Sequence, residues 1–170
     1  MKNIILIGMM GSGKTSVGRA VSRTANLSFI DTDTIIENRL HMTIPQIFTQ
    51  YGETYFRSLE ADAARQAAAH TNTVIATGGG IVTDPQNMVH LKASGFVIYL
   101  QCDPKQLYKR TAKNLNRPLL NAETERLKKL EDLLSQRKHL YMQYSDFTLD
   151  VDEATVDELS EMILTRVAPD

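Results

Sequence analysis

The sequence predicts one α/β domain of three layers, in which helices cover both faces of a five-stranded parallel sheet. Three observations favour this fold class. Short apolar or β-branched segments alternate with longer segments of helical period, as in parallel sheets with crossover helices. The first such segment, Asn3–Ile7, is apolar after its first residue, which is typical of a strand buried on both faces. A glycine-rich turn then separates it from a predicted helix, and the 170 residues suit a single domain.

The other elements follow in chain order from the same patterns. The remaining strands are expected at 27–30, 73–76, 96–100 and 147–149. Helices are expected at 14–25, 34–40, 53–70, 85–93, 104–113, 123–144 and 156–167, with a short helix opening at Thr43 and a break at Gly52.

Two helix starts carry a specific signal. Asp84-Pro85 and Asp103-Pro104 each place an acidic N-cap before proline at the first helical position. Residues 114–122 have no steady period, and we predict a mobile loop there.

The composition excludes several classes of protein. The net charge is −1, so neither nucleic acid nor an anionic membrane is expected as the main partner. Cys102 is the one cysteine, which excludes an internal disulfide and fits a reducing compartment. The four histidines lack metal-ligand spacing, so no zinc site is expected. No apolar run has the roughly 18 residues of a membrane helix, and we expect a cytoplasmic protein.

The segment Gly8-Met9-Met10-Gly11-Ser12-Gly13-Lys14-Thr15 fits the Walker A pattern G-x-x-x-x-G-K-[ST] in full. In such a loop, backbone N–H groups and the start of the following helix bind phosphate oxygens. Lys14 is expected to reach the β- and γ-phosphates, and the Thr15 hydroxyl to coordinate Mg²⁺. The sequence therefore predicts a nucleotide-binding protein. The expected nucleotide contacts come from Gly11, Ser12, Gly13, Lys14, Thr15 and Ser16.

Asp31 and Asp33 follow the second predicted strand. Residues i and i+2 of extended backbone point the same way, so both carboxylates could face the crevice at the carboxyl ends of the strands. One could help to hold Mg²⁺, while the other accepts a hydrogen bond from a substrate hydroxyl and takes its proton. The alternative is that Asp33 only caps the next helix.

Gly78-Gly79-Gly80 follows the third strand. Consecutive glycines lose much conformational entropy on folding, and a tight turn needs only one or two. Their N–H groups could bind a substrate carboxylate or hydroxyl, or a water on the metal. A simple turn is the alternative.

Three arginines, Arg57, Arg117 and Arg137, could bind anions, because a guanidinium matches a planar carboxylate or phosphate. For any one of them the alternative is a solvated helix face, and Arg57 has Glu53 and Glu60 available for ordinary helical pairing. Arg117 precedes Pro118 in the predicted loop, where closure could bring it onto the transferred phosphoryl group. A further arginine, Arg110, could instead stack on an adenine ring.

In their order and spacing, these motifs resemble the shikimate kinase family over residues 1–150. The resemblance rests on the Walker A segment, Asp31-Thr32-Asp33, Glu53 with Phe56-Arg57, Gly78-Gly79-Gly80, Arg117-Pro118-Leu119-Leu120, and Arg137 to Tyr141.

The resemblance implies a nucleoside-monophosphate-kinase-like fold of the P-loop NTPase class, with a substrate-binding region at about 32–60 and a lid at about 111–122 of one 1–170 domain. It implies transfer of the γ-phosphoryl group of ATP to the 3-hydroxyl of shikimate, with Mg²⁺, by a monomer.

The resemblance also implies roles for individual residues. Thr15 would hold Mg²⁺ with Asp31 near it, and Lys14 would act in catalysis. Asp33 would bind the reacting hydroxyls. Arg57 and Arg137 would bind the shikimate carboxylate, and Gly79 and Gly80 would line the substrate site. Arg117 would bind the phosphates, and Arg110 would lie over the adenine.

One departure from the family pattern concerns the loop Val151-Asp152-Glu153-Ala154, which lacks the basic residue that many members carry beside the adenine. Two rival functions stay open. One is a related P-loop kinase acting on gluconate or a nucleoside monophosphate. The other is a nucleotide-binding regulatory protein that has lost catalysis.

Overall fold

The computed structural model describes residues 2–112 and 120–168. The strands in this part are β1 (Asn3–Ile7), β2 (Ser28–Asp31), β3 (Thr73–Ala76), β4 (Gly95–Gln101) and β5 (Phe147–Asp150). The helices are α1 (Lys14–Ala25), α2 (Thr32–Leu40), α3 (Ile44–Ala68), α4 (Pro85–Ser94), α5 (Pro104–Ala112), α6 (Leu120–Tyr144) and α7 (Val156–Val167). A single 3₁₀ turn, Ile81–Thr83, joins β3 to α4, and the sequence analysis did not predict it.

The predicted parallel sheet is confirmed. Its strand order is β2-β3-β1-β4-β5, and every neighbouring pair is parallel. The central strand β1 pairs with β3 on one side and β4 on the other, and its residues Ile4, Ile5, Leu6 and Ile7 are fully buried. Because the carboxyl ends of β1, β2 and β3 lie at one edge, the three loops that follow them meet there.

One predicted boundary was wrong in a way that matters for the site. Asp31 ends β2 and is the N-cap of α2, where its carboxylate accepts hydrogen bonds from the N–H groups of Asp33 (3.0 Å) and Thr34 (3.5 Å). Helix α2 therefore begins at Thr32, two residues earlier than predicted, because this cap satisfies its first donors. Asp33 lies in the first helical turn, so neither extended backbone at both acids nor capping by Asp33 is correct.

The region predicted to bind substrate consists of α2 and α3. The predicted break at Gly52 is confirmed, because its φ of 81° and ψ of 174° are non-helical within α3. The two helices pack on a separate apolar cluster, which comprises Ile36, Ile47, Phe56, Leu59 and Ala63. This cluster fixes the direction in which the later part of α3 presents its polar side chains.

Both predicted acidic caps are confirmed, since Asp84 accepts from the Gln86 N–H and Asp103 from the Lys105 N–H. Arg117 and most of the predicted loop at 114–122 lie outside the described ranges. Within those ranges α6 begins at Leu120, three residues before the predicted start. Among residues 2–112 and 120–168, no helix is both long and apolar enough to cross a membrane.

Candidate active site

The phosphate loop connects the buried end of β1 to the start of α1. Gly11 and Gly13 have φ angles of 80° and 93°, in the left-handed region that glycine adopts without strain. The N-cap of α1 is Gly13, where no side chain in the described part of the chain makes a capping hydrogen bond. The first N–H groups of a helix can bind an anion. The loop therefore has the backbone geometry that the Walker A pattern predicted.

The side chain of Lys14 packs against the backbone of the phosphate loop. Its ammonium donates to the carbonyl oxygens of Gly8 (2.8 Å) and Met9 (2.7 Å), and only 7% of the residue is exposed. Burial lowers the pKa of Lys14 to about 8, while the charges of Asp33 and Asp31 oppose this shift. Lys14 is thus a cation at neutral pH in a poorly hydrated position beside the phosphate-binding backbone.

Thr15 and Asp31 are joined directly. The Thr15 hydroxyl donates to Oδ2 of Asp31 at 2.7 Å, while Oδ1 of the same carboxylate caps α2. One hydroxyl and one carboxylate therefore stand together at the start of α1, and both are oxygen ligands of the kind that Mg²⁺ prefers. In the described part of the chain, no three His, Cys, Asp or Glu side chains form a metal site.

Asp33 is the second acid of the pair. Its Oδ1 atom is buried and has no hydrogen-bond partner among the described residues. Burial, followed by the charges of Asp31 and Glu60, raises the pKa of Asp33 to about 6, against the lowering effect of Lys14. A carboxylate with this pKa can accept a proton close to neutral pH.

A cavity of about 290 Å³ brings these groups together. It is lined by Met10, Gly11, Gly13, Lys14, Thr15, Ser16, Asp31, Asp33, Thr77 and Gly79. The predicted meeting of the loops after β1, β2 and β3 is therefore confirmed. A larger groove of about 670 Å³ lies between β5 and α7, but it holds none of the residues predicted to act in the site.

The glycine triplet is required for close approach and not for unusual dihedral angles, since none of its members has a positive φ. A Cβ atom on Gly80 would lie 2.8 Å from Cζ of Arg57, and one on Gly78 would lie 2.8 Å from Oδ1 of Asp33. A Cβ on Gly79 would approach the backbone N of Met10 (3.3 Å) and Nη1 of Arg137 (3.7 Å). The side chains of Asp33, Arg57 and Arg137 therefore lie close to the backbone of the triplet.

Arg57 is held by two carboxylates of its own helix. Its Nη1 donates to Oε2 of Glu60 at 2.7 Å and its Nη2 to Oε1 of Glu53 at 3.2 Å. The predicted helical pairing is present, but the partners differ, since the side chain of Glu60 is 1% exposed and that of Glu53 is 68% exposed. The face is therefore not simply solvated.

Glu60 was not among the predicted site residues. Its Oε1 atom is buried, has no hydrogen-bond partner among the described residues, and lies 3.0 Å from the position of a Cβ on Gly78. The sequence contained one signal for it, its spacing of three residues from Arg57. The sequence analysis also did not predict Thr32 as a residue of the site. Thr32 is fully buried, and its hydroxyl accepts from the Gly78 N–H at 3.1 Å.

Arg137 and Arg110 approach the site from α6 and α5. The Nη1 atom of Arg137 lies against Gly79, as described above. The guanidinium of Arg110 donates to the carbonyl oxygens of Val151 (2.9 Å) and Ser12 (3.4 Å), so it joins the phosphate loop to the loop after β5. In that second loop Asp152 accepts from the Asp103 N–H at 3.0 Å.

A sheet of this order, a Walker A loop and a convergent acid pair define the protein as a P-loop kinase. Residues 10–168 match the shikimate kinase family model. The chain is 42% identical over 164 residues to a shikimate kinase of Caldanaerobacter subterraneus and 43% identical over 164 residues to one of Thermoanaerobacter pseudethanolicus. Each match covers 96% of this chain and 95% of the relative.

Among solved structures, shikimate kinase from Acinetobacter baumannii in complex with shikimate superposes with a TM-score of 0.90 at 36% identity, covering 98% of this chain and 93% of that one. The chain belongs to the shikimate kinase family, and it is an ATP-dependent kinase.

Proposed function

We propose that the site transfers the γ-phosphoryl group of ATP to the 3-hydroxyl of shikimate, giving shikimate 3-phosphate and ADP. The observation that carries this proposal is that Lys14, Asp33 and Gly79 line one cavity, with the guanidinium groups of Arg57 and Arg137 packed on the same glycine triplet. One hydroxylated ring with a single carboxylate needs such a pair of cations beside a hydroxyl-binding acid.

On the donor side, the backbone from Gly11 to Ser16 binds the phosphates and Lys14 reaches the β- and γ-phosphates. To do so, Lys14 exchanges its contacts with the Gly8 and Met9 carbonyls for phosphate oxygens. Arg110 lies over the adenine, which its position between the phosphate loop and the loop after β5 favours. Arg117 binds the phosphates from the lid.

Thr15 and Asp31 would hold Mg²⁺, since their 2.7 Å hydrogen bond brings both oxygen atoms together in the cavity. A cation held there would neutralise part of the negative charge of the phosphates. Asp31 keeps its place because Oδ1 is anchored to the start of α2. These two residues therefore need little rearrangement to present their oxygens.

On the acceptor side, Asp33 orients the 3-hydroxyl and takes its proton as the oxygen attacks phosphorus. A carboxylate with a pKa of about 6 is mostly ionised at pH 7, and its unpartnered Oδ1 can accept the hydroxyl hydrogen. Arg57 and Arg137 bind the shikimate carboxylate, and Gly79 and Gly80 line the pocket. Lys14 and Arg117 stabilise charge on the transferring group, so catalysis is mainly positioning and electrostatics.

The protein is proposed to act as a cytoplasmic monomer, with ATP and shikimate as its partners and without a role for nucleic acid or membrane. The net charge of −1 favours this.

The deciding experiment offers ATP with shikimate, gluconate or AMP in separate ADP-release assays. The proposal requires turnover with shikimate alone, while turnover with gluconate or AMP instead would support the rival kinases. Tight ATP binding without turnover of any acceptor would support a regulatory protein. Arg57→Ala and Arg137→Ala are expected to weaken shikimate binding far more than ATP binding, and equal loss of both would contradict the carboxylate clamp.

A further inference from the structure

Two buried tyrosines stack beside the glycine triplet but differ in what their hydroxyl groups contact. The rings of Tyr99 on β4 and Tyr141 on α6 lie 4.9 Å apart between centroids, at an interplanar angle of 19°. Tyr99 is 1% exposed and Tyr141 is fully buried. The Tyr141 hydroxyl donates to the carbonyl oxygen of Gly79 at 2.5 Å, while the Tyr99 hydroxyl has no hydrogen-bond partner among the described residues.

The Gly79 carbonyl belongs to the peptide unit whose N–H is that of Gly80. A peptide unit is planar, and this one is trans, so its carbonyl and its N–H point in opposite directions. Fixing the carbonyl on Tyr141 therefore also fixes the direction of the Gly80 N–H. Gly80 is the residue on which the Arg57 guanidinium packs.

Gly79 also lies at the junction of the donor and acceptor sides. The position of its absent Cβ is 3.3 Å from the Met10 N of the phosphate loop and 3.7 Å from Nη1 of Arg137. Arg137 and Tyr141 are four residues apart on α6, so they share one face of the helix. Helix α6 thus carries both the Arg137 guanidinium, which lies near Gly79, and the Tyr141 hydroxyl, which bonds to the Gly79 carbonyl.

We propose that Tyr141 is a positioning residue for the acceptor, which it serves by holding the Gly79–Gly80 peptide in the orientation that the acceptor pocket requires. The inference rests on the proposed function, because it assigns Gly79 and Gly80 to the shikimate site. Burial raises the pKa of Tyr141 to about 12, so its hydroxyl remains a donor at every pH at which the enzyme works.

Tyr99 provides the matched control. Tyr141→Phe and Tyr99→Phe each remove one oxygen atom from a buried ring of the same stacked pair, so both keep the packing. Only Tyr141→Phe removes a hydrogen bond to the glycine triplet and leaves the Gly79 carbonyl without its donor. A purely structural role would change thermal stability in Tyr141→Phe without changing the affinity for one substrate.

The experiment measures KM for shikimate, KM for ATP and the melting temperature of the wild type and both variants. We expect Tyr141→Phe to raise KM for shikimate about five- to tenfold. We expect its KM for ATP to stay within about twofold, and Tyr99→Phe to leave both KM values near those of the wild type.

Three results would overturn the inference. One is a shikimate KM in Tyr141→Phe that matches that of Tyr99→Phe. The second is an equal rise of both KM values, and the third is a fall in melting temperature alone. A wild type that does not phosphorylate shikimate would instead overturn the proposed function, and the inference with it.

Discussion

Glu60 binds the guanidinium of Arg57 from a buried position. Its Oε2 accepts from Nη1 of Arg57 at 2.7 Å, and its side chain is 1% exposed. The other partner of Arg57, Glu53, is 68% exposed. The guanidinium is therefore fixed on one side by a buried carboxylate and on the other by a hydrated one. Loss of the buried contact and loss of the hydrated contact should therefore affect acceptor binding differently.

Removing the buried partner should weaken acceptor binding. We predict that Glu60→Gln raises KM for shikimate about tenfold, because the buried acceptor of Arg57 loses its negative charge, and a hydrogen bond between charged groups is worth about 1.5–3 kcal/mol. KM for ATP should change little. Steady-state kinetics with each substrate varied in turn measures this, and Glu53→Gln is the control, since exposed ion pairs contribute less than about 1 kcal/mol. Equal effects of the two variants would contradict the role given to Glu60.

A side chain at position 80 should act through Arg57. Gly80→Ala places a Cβ 2.8 Å from Cζ of Arg57, so the guanidinium must move. We predict that KM for shikimate rises at least tenfold, which corresponds to about 1.4 kcal/mol. A double-mutant cycle with Arg57→Ala tests the route, because Gly80→Ala should add little once the guanidinium is gone. Additive effects would show that the glycine acts independently of Arg57.

The dependence of activity on pH should have two limbs. Asp33 has a pKa of about 6 and must be ionised to accept the hydroxyl proton, whereas Lys14 has a pKa of about 8 and must be protonated to bind phosphate. We therefore predict that kcat/KM for shikimate falls as the pH drops through about 6 and as it rises through about 8. Initial rates over that span, with the coupling enzymes in excess, measure both limbs. A flat acid limb would contradict Asp33 as the base.

Asp33 should also weaken the fold when it is ionised. Its pKa rises from 3.8 to about 6 on folding, so the folded state binds the proton more tightly than the unfolded chain does. Stability is then highest below the unfolded pKa and decreases as the pH rises to about 6, by up to about 3 kcal/mol at 1.4 kcal/mol per pKa unit.

Asp33→Asn should lose turnover and also lose this contribution to pH dependence. The melting temperature of the variant minus that of the wild type should therefore increase as the pH rises from about 4 to about 6. Thermal unfolding across that range measures the difference, and a constant difference would contradict the shift.

The helix cap that Asp31 provides and its proposed role in binding Mg²⁺ should be separable. Asparagine caps helices as well as aspartate does, so Asp31→Asn should keep α2 and the melting temperature while it removes a charged oxygen beside Thr15. We predict that the Mg²⁺ concentration for half-maximal activity rises several-fold, as measured by titration at fixed ATP. Asp84→Asn, at the equivalent cap of α4, should leave the Mg²⁺ requirement unchanged.

Elements of the fold with a local cause could be predicted from the amino-acid sequence alone. The apolar run Asn3–Ile7, the glycines of the phosphate loop and the acidic caps before Pro85 and Pro104 each specify their structure through burial, backbone freedom or side-chain hydrogen bonds within a few residues. The crossover rule then placed the loops after β1, β2 and β3 at one edge.

The arrangement of the proposed acceptor side depends instead on tertiary packing. Residues 57 and 60 are three apart on a helix, so their pairing could be foreseen. The burial of Glu60 beside the glycine triplet could not be foreseen. Nor could the sequence show that the Tyr141 hydroxyl bonds to Gly79, 62 residues away, while the Tyr99 hydroxyl has no hydrogen-bond partner within the described ranges. These facts depend on how α3 and α6 pack against the loop after β3, and packing between segments distant in the chain leaves no periodic signal in either one.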